Sequence, residues 1–235
     1  MAVSLQEFVA IFISALYNLC KTYLGNRPFR YVHINNSEIK KKCGFITREL
    51  TYPQIENPRD ENEKFWNKLI SKKASDELEN PTGCENNCVH IDAKITVRFN
   101  NKHLISYKSE QSWDAQGAVH GYTNIASFNW LLETKRELQT SDLFNDRKDW
   151  RNKLVELVYK KLKEDEIADR TTYVIGQSQL TDIVTSPYQW VILKDGLGIQ
   201  FGEYELGGRA APLIKIDWKA IDPYLSKNGH SLIYD

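Results

Sequence analysis

Long hydrophobic runs are almost absent from this chain. The one candidate, Phe8 to Cys20, is interrupted by Asn18 and is too short to span a membrane. Surplus charge is absent as well, since 31 Lys and Arg balance 31 Asp and Glu. A protein that works by gripping nucleic-acid phosphates needs a basic excess, so no nucleic-acid partner is expected. Internal repeats and low-complexity tracts are missing. So are the common catalytic signatures: no nucleotide-binding glycine loop, no G-x-S-x-G and no H-E-x-x-H occurs. The residues therefore call for no catalytic group, no cofactor and no metal.

What is present is an ordinary globular composition, 41% hydrophobic and 26% charged, over a length that can bury a real core. Six Trp, twelve Tyr and nine Phe make a high aromatic load, suited to a core and to flat binding surfaces. After Lys40-Lys41-Lys42, Cys43 to Leu50 reads as a first strand ending in Tyr52-Pro53-Gln54-Ile55. Asn57-Pro58 is a helix start with Asp60 and Glu61 in the first turn, where the helix dipole favours acids. Phe65, Trp66, Leu69, Ile70 and Ala74 give that helix one apolar face, until Asn80-Pro81 stops it.

The clearest local pattern follows. Val89, Ile91, Ala93, Ile95, Val97 and Phe99 alternate with polar residues, which predicts a strand with one wet face. Asn100-Asn101-Lys102 turns the chain into a second strand, His103 to Trp113, and Thr123 to Leu132 is a third. Ser141 caps a short turn through Phe144, and a second main helix runs from about Asp149 to Glu164. Its Lys160, Lys161 and Lys163 read as a solvated face rather than a basic patch. Tyr188 to Leu193 and Leu197 to Phe201 form a hairpin, with Asp195-Gly196 supplying the positive φ of a primed turn. Asp217 precedes a short helix. The order predicts an α+β fold, an antiparallel sheet built from hairpins with two main helices packed on it.

Cys84 and Cys88 stand close enough in sequence for a local disulfide, which would indicate an oxidising compartment. A metal site there would need further ligands, and His90 belongs to the alternating strand. Phe8 to Cys20 reads either as a degenerate export or anchoring segment or as an amphipathic helix. It leaves room for peripheral or N-terminal membrane association. Glu203 and Glu205, two apart, would share one face if their segment is a strand, a geometry open to acid/base chemistry on a glycan. Exposed like charges on one face need no such role. His120 sits in the glycine-flanked bend Gly117-Ala118-Val119-His120-Gly121, where backbone can approach closely, but no Ser or Cys beside it completes a triad.

Several of these pieces occur in a telling order. Tyr52-Pro53-Gln54-Ile55 precedes a helix, and a hairpin leads to Gly117-Ala118-Val119-His120. Then come Phe128-Asn129-Trp130, Ser141-Asp142-Leu143-Phe144, the hairpin at Lys194-Asp195-Gly196-Leu197, and Phe201-Gly202-Glu203-Tyr204-Glu205-Leu206-Gly207 with Ala210-Ala211. Over residues 43 to 230 this resembles the extracytoplasmic module shared by RsiV-type anti-sigma factors and PdaC-type peptidoglycan deacetylases. Val119 widens the G-A-H spacing of that family by one residue. Gly208-Arg209 and Pro212 stand where it usually shows an aromatic residue and a terminal glycine.

The resemblance implies an α+β module facing the cell envelope, without the metal-dependent deacetylase domain. It also implies a cell-wall glycan or a lysozyme-like protein as partner. The chain is thus expected to be non-catalytic and to act in the periplasm or at the cell surface, secreted or anchored. The alternative is a hydrolase of wall glycans or acyl groups using Glu203, Glu205 and His120. Residues 1–42 read as the apolar N-terminal segment and linker, 43–145 as a PdaC-like subdomain and 146–235 as an RsiV/PdaC-like subdomain. Trp113 belongs to the aromatic surface. Binding is expected at His120, Tyr122, Tyr204, Glu205 and Arg209, on irregular stretches beside hairpins, where binding residues concentrate.

Overall fold

The computed structural model describes residues 34–43, 46–79, 88–115, 120–169, 177–207 and 211–235. The apolar segment before residue 34, the Cys84–Cys88 bridge, Gly117 to Val119 of the bend, and Arg209 lie outside the described residues.

Strand β1 (Ile34–Cys43) and strand β2 (Ile46–Ile55) open the fold as an antiparallel pair. The basic run Lys40-Lys41-Lys42 therefore lies within a strand, one strand earlier than the sequence pattern suggested. Helix α1 (Glu61–Glu79) follows. Its start is Asp60 rather than Asn57-Pro58. The Asp60 carboxylate accepts from the backbone N–H groups of Asn62 and Glu63, both at 2.9 Å, while Glu63 reaches back to Arg59 N at 2.7 Å. Asn57 instead takes a left-handed φ of 50° as the chain leaves β2.

Trp66, Ile70 and Ala74 of α1 are fully buried against Leu50, Ile95 and Tyr107. Phe65, expected on the same face, lies outside it and stacks on Trp130. Asn67 clamps the helix to the end of β2, accepting from Ile55 N at 2.7 Å and donating to Ile55 O at 2.9 Å.

Strands β3 (Cys88–Asn100), β4 (Leu104–Ala115), β5 (Tyr122–Leu131) and β6 (Arg136–Glu137) complete a six-stranded sheet in sequence order. All neighbours are antiparallel except β2 and β3, which are parallel because α1 is the crossover between them. The alternation in β3 is realised: Ala93 and Ile95 are buried while Asp92, Lys94 and Arg98 are exposed.

The rest of the chain builds a second core. Helix α2 (Thr140–Leu143) leads to α3 (Trp150–Asp169) and α4 (Gln177–Val184). A short 3-10 turn, Pro187–Gln189, then enters a three-stranded antiparallel sheet of β7 (Trp190–Leu193), β8 (Gly196–Gln200) and β9 (Leu213–Asp217). Helix α5 (Trp218–Ile221), a 3-10 turn at Asp222–Tyr224 and helix α6 (Lys227–Tyr234) close the chain. Phe144 stacks on Trp150 at 4.4 Å, and Trp190 meets both edge-on at 5.4 and 5.9 Å. Leu104 and Leu131 of the large sheet share this core.

The β7–β8 hairpin turns at Lys194-Asp195, but not by a primed turn, since none of Lys194, Asp195 and Gly196 has positive φ. Gly196 is required for a different reason. A Cβ there would stand 2.5 Å from the Ile216 carbonyl oxygen on β9.

Two mostly antiparallel sheets with α1 and α3 packed on them make this an α+β fold.

Candidate functional site

The β4–β5 register sets Trp113 directly opposite Tyr122, and their rings meet at 4.7 Å. Cross-strand aromatic pairs of this kind lie on one face of the sheet. A third ring reaches them from the turn after β8. Tyr204 stacks on Tyr122 with centroids 6.5 Å apart and planes 14° from parallel. Trp113 is buried at the base of this ladder, whereas Tyr122 is 38% and Tyr204 48% exposed.

The turn that presents Tyr204 is firmly built. Phe201 and Leu206, on either side, are fully buried. Between them the backbone closes through Glu205 N to Gly202 O at 3.3 Å and Gly207 N to Tyr204 O at 3.1 Å. Tyr204 itself has φ of 68°, a left-handed conformation that costs a residue with a Cβ. Gly207, at φ 81°, adopts the same region without that cost. Gln200 stitches the neck of the loop, its Nε2 donating to Phe201 O at 2.8 Å and Ala211 O at 3.1 Å.

This geometry corrects the strand expected at Glu203 and Glu205, which lie in a turn. Both carboxylate oxygens of Glu205 serve the turn, one accepting from Gly202 N at 2.7 Å and the other from Gln189 Nε2 at 3.1 Å. Glu205 shapes the loop that carries Tyr204.

His120 is exposed, and its Nδ1 lies 3.0 Å from its neighbour's carbonyl, Gly121 O. No aromatic contact joins it to the ladder among the described residues. Gly121 permits the bend, because a Cβ there would meet the Trp113 carbonyl at 3.0 Å and the Asp114 carboxylate still closer. Of the expected residues, the fold thus brings together Tyr122, Tyr204 and, beneath them, Trp113.

A groove of ≈ 520 Å³ lies elsewhere, floored by Trp218 and walled by Asp195, Asp217, Asp222, Pro223 and Tyr234. Lys215 pairs with Asp195 at 2.6 Å and Asp217 at 3.5 Å, and the Lys215 hydrogen bond holds the Asp195 carboxyl below its ordinary value. Partial burial, then the hydrogen bond to Asp222, raises the Tyr234 phenol. Sequence reasoning gave Asp195 only a turn and Asp217 only a helix start, because nothing local signals that β8, β9 and α6 converge. Among the described residues no cluster of His, Cys, Asp and Glu is placed to hold a metal ion. No helix among them is long and apolar enough to cross a membrane.

A family model described as "Protein of unknown function (DUF3298)" matches residues 141–218, the segment from α2 to the start of α5. No functionally curated protein matches the chain. Among solved structures, a DUF3298 family protein from Pseudomonas aeruginosa PAO1 is similar at TM-score 0.56 and 12% identity, covering 85% of this chain and 96% of that one. A DUF3298 family member from Bacteroides fragilis NCTC 9343 is similar at TM-score 0.56 and 16% identity, covering 86% and 95%. The chain therefore carries a DUF3298 match across its C-terminal core and has the fold of these two bacterial proteins.

Proposed function

We propose that the protein is a non-catalytic binding module of the cell envelope, acting in the periplasm or at the cell surface. Its partner is a cell-wall glycan or a wall-degrading enzyme such as lysozyme. The observation that carries this reading is the Trp113–Tyr122–Tyr204 ladder, whose outermost ring is held in the open on a left-handed backbone. Backbone strain that is kept in a well-anchored turn is characteristic of residues placed for a task. Exposed stacked rings suit the C–H faces of sugars and also anchor protein interfaces.

The envelope setting rests on the resemblance to RsiV-type and PdaC-type modules. In this reading Glu205 keeps the turn of Tyr204 in shape, and His120 and Arg209 supply further polar contacts to the partner. The test is titration of the purified protein with lysozyme and, separately, with soluble peptidoglycan fragments. Binding to either one, weakened about tenfold or more by Tyr204→Ala, is the expected result. Binding to neither overturns the proposal.

A further inference from the structure

Between β5 and the 3-10 turn Pro187–Gln189 lies a narrow notch lined by Ser127, Asn129, Glu137 and Tyr188. Its room is ≈ 10 Å³, about what one water or one hydroxyl group needs. Ser127 and Asn129 are almost wholly buried, at 2% and 4% exposure. Yet Ser127 Oγ and Asn129 Oδ1 have no hydrogen-bond partner in the protein. The amide orientation is not in question. Asn129 Nδ2 donates to Trp190 O at 2.7 Å, with Pro187 O at 3.5 Å, and turning the amide over would set oxygen against oxygen. Buried polar atoms are rarely left unpaired, so a donor from outside the chain belongs in the notch.

The lining defines that donor. Asn129 Oδ1 can only accept, Ser127 Oγ can do either, and Glu137 brings a carboxylate, while no lining side chain is cationic. An anionic ligand is therefore disfavoured. Lys73 Nζ stands 3.9 Å from Glu137 and offsets part of its charge, which favours a neutral donor over a second cation. Tyr188 is 61% exposed, and the Asn129 amide that leaves its oxygen free reaches towards the carbonyl of the preceding Pro187. An exposed ring beside buried acceptors suits a molecule with a flat C–H face and a neighbouring hydroxyl.

We propose that this notch is a saccharide subsite, separate from the aromatic ladder, in which a sugar hydroxyl bonds Ser127 Oγ and Asn129 Oδ1 while the ring lies on Tyr188. The inference rests on the envelope reading only for the choice of a wall-type sugar as probe.

The test is an NMR titration of the whole protein with the N-acetylglucosamine trimer, following the Asn129 side-chain amide and the Tyr188 backbone amide. Both are expected to shift saturably. Tyr188→Ala should weaken that response about tenfold with unchanged thermal unfolding, since the ring is exposed, and Ser127→Ala should weaken it several-fold. Tyr204→Ala should leave it intact. A response lost with Tyr204 but not with Tyr188 overturns the notch while sparing the ladder. An Asn129 response in the parent protein with no shift at Tyr122 or Tyr204, and with neither Tyr204→Ala nor lysozyme changing anything, does the reverse. No shift at Asn129 or Tyr188 in millimolar sugar, with only an ordered water found in the notch by crystallography, also overturns it.

Discussion

At the scale of single residues, backbone conformation separates what the fold needs from what a ligand would need. Tyr204 and Lys135 are both left-handed, at φ 68° and 52°. Lys135 lies in the turn that links β5 to β6, away from the ladder. Each bears a steric cost of roughly 1–2 kcal/mol that glycine would relieve, less the extra freedom glycine gains in the unfolded chain. Lys135→Gly should therefore raise stability by up to about 1 kcal/mol, seen as a higher thermal midpoint. Tyr204→Gly also gives up the half-buried ring's packing on Tyr122 and should change the midpoint little. Only Tyr204→Gly should lose the partner, because it deletes the outer ring of the ladder. A Tyr204→Gly protein that stays folded and still binds in full would show that the ring has no part in recognition.

At the scale of elements, the contact between the two sheets is made by side chains serving backbone. β7 is an edge strand, and an unpaired buried edge is costly. Ser106 Oγ accepts from Ile192 N at 3.0 Å, and Asn129 Nδ2 donates to Trp190 O at 2.7 Å, so β4 and β5 satisfy the free edge of β7. Asn129→Ala should cost about 1–3 kcal/mol, since it strands the Trp190 carbonyl in a buried site, and Ser106→Ala about as much. Chemical denaturation of the two single mutants and the double mutant checks this. Costs near zero would mean that water reaches the edge of β7.

None of this edge pairing was legible in the sequence, because Ser106 reads there as an ordinary polar position and Asn129 only as part of the Phe128-Asn129-Trp130 piece of the resemblance. β3, β4, β5, α1 and α3 were legible, since long periodic runs report burial directly. β1 was hidden by its lysines, β9 by its five-residue length, and the parallel β2–β3 pairing by its dependence on where α1 crosses. Trp113 and Tyr122 each read as aromatics beside one bend, but with Tyr122 outside the strand, so their direct pairing comes from the β4–β5 register. Tyr204 joins them through a turn whose shape depends on Glu205 and Gln189, which lie sixteen positions apart.

For the molecule as a whole, the C-terminal segment is fastened to the end of the large sheet through one carboxylate and its own backbone. Arg136 on β6 grips Asp142 with two bonds of 2.6 Å, and Gln139 N adds a third at 2.8 Å. The Asp142 carbonyl accepts from Ser226 and Asn228, each at 3.1 Å, where α6 begins. The Arg136 hydrogen bonds hold the Asp142 carboxyl below its ordinary value, against a smaller opposing effect of burial. A carboxyl lowered in the folded state binds its proton less readily there than in the unfolded chain. Its contribution is complete above the ordinary carboxylate range and disappears as pH falls through the lowered folded value. Asp142→Asn should accordingly lower the thermal midpoint at neutral pH, and the gap from the parent should close as the solution is acidified below that range. Asp195, lowered by Lys215 but fully exposed, serves as the control, and Asp195→Asn should change little at any pH. Thermal unfolding of the three proteins across an acid series checks both expectations. A gap between parent and Asp142→Asn that stays constant with pH would assign the loss to packing around α2 rather than to the Arg136–Asp142 pair.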